Sequence, residues 1–158
     1  SDLFVSMIEA MGGNATPMAY GEVYQGMVQG VIDGAENNFP SYESSRHFEV
    51  APVYSLTRHV MAPEILAMSR HRWDKLSSAD RDAVLAAAQA SVPVMRDIWD
   101  RQVIQSRQIV TDAGVQIVED VDRQAFSRLM QPLWAQYADT PTLRRLVEDI
   151  RNIGGDNG

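Results

Sequence analysis

Cysteine is absent from this 158-residue chain. That excludes disulfides, thiolate chemistry and cysteine-ligated zinc, and it suits an oxidising or a reducing compartment equally. Lysine is nearly absent too: Lys75 stands alone, so the cations are almost all arginines, the side chain favoured for fixed ion pairs and planar recognition. No apolar run approaches the roughly 20 residues that a membrane-spanning helix needs. There is no glycine-rich phosphate loop and no Gly-x-Ser-x-Gly nucleophile elbow. His47, His59 and His71 are spaced by 12 and 12 residues, which matches no metal motif. A net charge of −7 argues against nucleic acid, whose phosphates require clustered Lys and Arg.

What is present is ordinary for a globular protein: 45% hydrophobic and 22% charged residues. A chain of this size hides roughly 70% of its unfolded surface around one core. No targeting segment is visible. Ser1-Asp2 opens directly into a helical pattern, as a piece of a longer polypeptide would.

Leu3, Phe4, Met7, Ile8 and Met11 form one helical stripe closed by Gly12-Gly13. Residues 22–29 make two helical turns, with Val23, Met27 and Val28 inward and Gly30 as the left-handed stop. Val31-Ile32 reads as the start of a buried strand, leaving the polar cluster Glu36-Asn37-Asn38 at its exit, where open α/β sheets present ligand sites. Residues 40–48 suit a short helix carrying Tyr42, Arg46 and His47. Two apolar strand-like runs follow, 54–61 and 65–69. Ser77-Ser78-Ala79-Asp80 is a capping box before a helical pattern that reaches Ala113, about 54 Å at 1.5 Å per residue. Pro93 inside it should kink it. A helix this long cannot bury its stripe against one compact layer and reads as a spine shared by two lobes. Gly114 ends it, Val115–Val118 alternates as a strand, residues 122–138 form a helix, and Thr140-Pro141 caps a last one with Leu143, Leu146, Val147 and Ile150 inward. The three tryptophans, Trp73, Trp99 and Trp134, follow helical positions and read as core.

The chemistry-bearing candidates are few. Asn37 and Asn38 offer donor and acceptor in one group, suited to a hydroxylated or carboxylated ligand, although Asn-Asn before Phe-Pro also suits a plain turn. His59, after Thr57-Arg58, is the most site-like histidine, and Tyr20 stands as a staple or a pocket wall. The pattern favours binding over catalysis. The rivals are a hydrolase using Ser44 or Ser45 with His47, and a helical oligomerisation module over 77–113, the latter weakened by Pro93.

The run GEVYQGMVQGVIDGAENNFPSYESSRHFEVAPVYSLTRH resembles the DctP-like solute-binding proteins of TRAP transporters, whose pattern there is roughly Glu-Val-Tyr-x-Ala-Leu-x-Thr-Gly-x-Val-Asp-Gly-x-Glu-Asn. Gly26 replaces the usual Ala and Gln29 the usual Thr. The similarity runs to about Ile150. It implies an α/β, two-lobed fold of the type II periplasmic-binding-protein kind, incomplete in this chain, with a long kinked helix spanning both lobes. It also implies a periplasmic, non-enzymatic protein without cofactor or metal, which hands a small organic acid to TRAP permease subunits and does not itself insert in the membrane.

By position, Asn37 matches the family's ligand-contacting asparagine, Glu36 its supporting carboxylate, Tyr20 an aromatic pocket wall and His59 a polar group near the ligand. Asn38 and the residues through Ser44 look like the branch that takes sugar acids such as glucuronate or galacturonate. The resemblance assigns 1–62 to part of the second lobe and 63–113 to a crossover strand and spine helix reaching the first. It assigns 114–151 to the return and C-terminal helices, and 152–158 to a disordered tail. The family's carboxylate-binding arginine would lie before Ser1, so the chain is expected to be a C-terminal portion. Apolar surface left uncovered in such a portion drives association. The isolated chain is therefore expected to dimerise through that surface or the long helix; light scattering should give twice the mass of one chain, and a clean monomer at high concentration contradicts it.

Overall fold

The computed structural model describes residues 1–154. In chain order it contains α1 (Asp2–Ala10), a 3₁₀ turn (Tyr20–Glu22), α2 (Val23–Val28), α3 (Phe39–Ser44), a second 3₁₀ turn (His47–Glu49) and β1 (Val53–Ser55). Then come α4 (Arg70–Trp73), α5 (Ser78–Asp112), β2 (Gln116–Val118), α6 (Arg123–Tyr137) and α7 (Pro141–Gly154). The fold is mostly helical. Its sheet pairs β1 with β2 in parallel, Tyr54 opposite Ile117.

Local chemistry sets most of the boundaries. Ser77 Oγ accepts the Asp80 N–H at 3.2 Å and donates to the Asp80 carboxylate at 2.7 Å, so hydroxyl and carboxylate join each other as well as the helix start. Asp122 caps α6 through the Ala125 N–H, and Thr140 Oγ1 accepts from Leu143 N–H. α5 ends in a Schellman motif: Gly114, at φ +89°, donates to Thr111 O, and Val115 N–H reaches back to Val110 O. Gly30 (φ +69°) closes α2 the same way.

The core sits where the C-terminal third of α5 meets α3 and the sheet. Val110 is fully buried and packs with Phe39, Tyr42 and Val115, flanked by Phe48, Tyr54, Leu56, Val103 and Ile117. Phe39 stacks on Tyr54 at 4.3 Å between ring centroids. Ser106, also fully buried, is small enough to admit α3 to the helix surface; its hydroxyl lies 3.4 Å from Glu43 Oε2 and accepts from Gln102 Nε2. Tyr42 donates to Ala51 O at 2.5 Å, and burial, then the neighbouring Tyr54, pushes its phenol up to about 12. α1 packs on α6, where the Ser6 and Tyr137 hydroxyls share a 2.9 Å hydrogen bond.

Several sequence expectations are corrected. Val31-Ile32 forms no strand: Val31 is 61% exposed and its N–H is spent on the Gly26 carbonyl closing α2. The inner face of α2 is Gly26, whose missing Cβ would stand 3.3 Å from Met18 Sδ and 3.4 Å from Ile32 Cγ1, whereas Val28 faces outward. The run 54–61 is a strand only through Ser55, and 65–69 forms none, because no described strand lies beside it to take its ladder hydrogen bonds. Helix α5, by contrast, has the length its pattern implies, 35 residues with Pro93 inside it. Trp99 is exposed, so it is not core; Trp73 and Trp134 instead lie under Arg81 and Arg151. Residues 152–154 continue α7, and the remainder of the expected disordered tail lies outside the described residues.

Position 114 provides a clean test. A Cβ there meets nothing within 4 Å, so Gly114→Ala carries only the left-handed backbone cost, about 1–2 kcal/mol. Urea denaturation should show the unfolding free energy lowered by that amount, read as a lower midpoint at unchanged slope, with Gly114→Asn costing less.

Candidate functional site

The segment entering α3 and the segment leaving β1 meet at one end of the core. Tyr54 ties them: its hydroxyl donates to Asn37 O at 2.6 Å, while its ring stacks on Phe39. Burial first, and the Glu36 charge second, raise its phenol pKa, so it stays a protonated donor. Asn37 Oδ1 accepts the Asn38 N–H at 2.9 Å; its amide nitrogen makes no hydrogen bond among the described residues.

Past the strand, Thr57 N–H turns back onto Ser55 O, and Thr57 Oγ1 meets His59 Nδ1 at 2.6 Å. That contact fixes the imidazole and aims Nε2 at Glu36, whose Oε2 is 3.8 Å away, beyond hydrogen-bonding distance. His59 Nε2 is buried and has no partner among the described residues. An orphaned buried group of this kind costs about 1–3 kcal/mol, which a hydroxylated ligand can recover.

The structure thus brings Glu36, Asn37 and His59 together, and it adds Tyr54 and Thr57, which sequence reasoning passed over. The Thr-x-His spacing was the available signal for Thr57; nothing local marks Tyr54 apart from its being the aromatic of the strand. Asn38 and Tyr20 are placed differently. The Asn38 side chain accepts Ser41 N–H at 2.9 Å and caps α3. Tyr20, half exposed, donates to Ser41 O at 3.2 Å, bonds the Ser45 hydroxyl, and meets the His47 ring edge-on at 5.8 Å. It sits against the flank of α3.

The same contacts bear on the hydrolase rival. Ser45 is engaged by Tyr20 and Ser44 by Ser41 O at 3.5 Å; neither is hydrogen-bonded to His47 among the described residues. A groove of about 400 Å³ over α5 and β2, lined by Ile104, Arg107, Gln108, Thr111, Val115 and Ile117, includes none of the candidate residues.

Residues 1–140 match the family described as bacterial extracellular solute-binding protein, family 7 (DctP). The chain belongs to this family. Its members are solute-binding proteins, not enzymes. A solute-binding protein of Chromohalobacter salexigens is 52% identical over 153 residues, which cover 96% of this chain and 46% of that protein. A solved TRAP periplasmic solute-binding protein from the same organism, with bound D-glucuronate, superposes with TM-score 0.90 at 52% identity, covering 96% of this chain and 51% of that one. Another, from Xanthobacter autotrophicus with bound β-D-galacturonate, gives 0.88 at 43%, covering 95% and 50%. The chain spans about half the length of the relatives it matches.

His47 yields a pH prediction. It is 3% exposed, and burial holds its pKa below the usual 6.5. Below pH 6.5 the unfolded chain therefore binds a proton that the folded one resists, so stability falls as pH drops through 6.5 towards the folded value. Denaturation midpoints measured from about pH 7.5 down to about pH 5 should decline on the acid side, and less steeply in His47→Gln.

Proposed function

We propose that this chain is the ligand-binding C-terminal portion of a periplasmic TRAP-transporter solute-binding protein that captures a sugar acid of the glucuronate or galacturonate class. One observation carries the reading: relatives crystallised with those two acids match almost the whole chain at 43–52% identity. The orphaned His59 Nε2 beside Glu36 and Asn37 supports it from within.

In this reading Asn37 and His59 hydrogen-bond the sugar hydroxyls, and Glu36 orients them. Tyr54 and Thr57 hold the two contact residues in place. Asn38 contributes by capping the helix that Asn37 leads into, and Tyr20 by walling the flank of α3. Closure of two lobes around the ligand favours the liganded state because the ligand bridges both, and the closed form is what permease subunits would receive. The docking face of the first lobe fits the surfaces left bare here: Met61, Ile65 and Leu66 on the extended stretch after β1, and Val84, Leu85, Val94, Met95 and Ile98 on the first two-thirds of α5. The five on α5 precede the stretch of that helix that packs on α3, as a spine shared by two lobes requires.

Isothermal titration calorimetry on the complete polypeptide should show saturable binding of D-glucuronate or D-galacturonate. Asn37→Ala and His59→Ala should each weaken it about tenfold or more, the loss of one buried hydrogen bond, with the circular dichroism spectrum unchanged. Failure of both acids to bind, or wild-type affinity in both variants, refutes the assignment.

A further inference from the structure

In a chain of net charge −7, three guanidinium groups converge on one recess. Leu56, Arg58, Arg107, Glu119 and Arg123 line a polar depression of about 220 Å³. It lies at the carboxyl ends of both strands: Leu56 and Arg58 follow β1, Glu119 follows β2, Arg123 opens α6 and Arg107 projects from α5. None of Glu36, Asn37 and His59 lines it.

The charges do not balance. Glu119 pairs with Arg107, whose guanidinium also lies 5.9 Å from the Phe39 ring centroid. Arg58 and Arg123 form no ion pair among the described residues. Three cations against one carboxylate leave two positive charges in excess. The nearby Asp122 is occupied, capping α6 and meeting Arg128 at 3.6 Å, and neither it nor Asp120 lines the recess. Like charges gathered this closely repel one another. Arg58 is also held at φ +48°, a left-handed conformation costly for any residue with a Cβ. The repulsion is relieved if an anion sits between the arginines, in the position where parallel strands present ligands.

We propose that this recess is a second anion site, taking a small oxyanion with two negative charges, of the phosphate or short dicarboxylate kind. Arg58 and Arg123 supply the planar donor forks that match such oxygens, and Glu119 tethers Arg107 and sets the excess charge at two. The site is independent of the sugar-acid reading, because its ligand is not a sugar and its residues are not those of that site.

The test is calorimetric titration of the intact protein with inorganic phosphate, malonate and acetate at matched ionic strength and mildly alkaline pH, where phosphate is a dianion. One phosphate or malonate per chain should bind saturably, and acetate should not. Preference for phosphate would mark a tetrahedral site, and preference for malonate a dicarboxylate one. Arg58→Asn, which the left-handed position tolerates, and Arg123→Gln should each weaken binding about tenfold. The double variant should abolish it, and Glu119→Gln should tighten it severalfold. Absence of saturable binding, an equal response to acetate, or undiminished binding in a folded double variant overturns the proposal, whatever the outcome with glucuronate.

Discussion

Everything around the candidate site hangs on the seat of α3 upon α5. Two adjacent turns of the long helix present Ser106 and Val110, both fully buried. The small serine lets the short helix approach, and the valine anchors Phe39 and Tyr42. A six-residue helix has too few hydrogen bonds to persist alone, so its existence is a tertiary fact. Because α3 is fixed, its entry peptide at Asn37 is fixed. Because Phe39 stacks on Tyr54, the sheet is held to the same point. The Tyr54 hydroxyl then locks the Asn37 backbone, and His59 follows a few residues later. The chain of dependence runs from one face of one helix to the polar cluster.

Elements governed by local chemistry were readable in the sequence. The capping residues Ser77 and Thr140 and the glycines 30 and 114 stop or start helices through groups a few residues away, so their signal is contained in a short window. Strands were misread for the opposite reason. A β-branched pair such as Val31-Ile32 carries the composition of a strand, but a strand exists only where a neighbour accepts its hydrogen bonds. Here the Schellman closure at Gly26 took the Val31 amide first. The runs after Ser55 have strand-like composition and no adjacent strand. The exposed Trp99 has a related cause: periodicity marks a face of α5 as apolar without saying what covers it.

The polar cluster was half legible. Glu36, Asn37 and His59 were singled out and do meet, although 23 positions separate Glu36 from His59. Asn38 illustrates the limit of residue type as evidence, since the same amide that suits a ligand also suits a helix cap, and here it caps. The arginine recess left no trace in the sequence, because its charges come from three distant segments and converge only when β1 and β2 pair.

That pairing has a consequence in time. β1 and β2 are each other's partners in the only sheet among the described residues, and Ser55 and Gln116 are separated by the whole of α4 and α5. Parallel strands joined by so long a crossover must close a large loop before any ladder bond forms. The sheet is therefore among the last parts of the core to close. Until the strands pair, Tyr54 has no second strand against which to settle, and Phe39 and Val110 lack the sheet that covers them. This chain is therefore most open to misassociation before its sheet closes, and its long helix, whose hydrogen bonds are local, is the scaffold on which the distant strand completes the core.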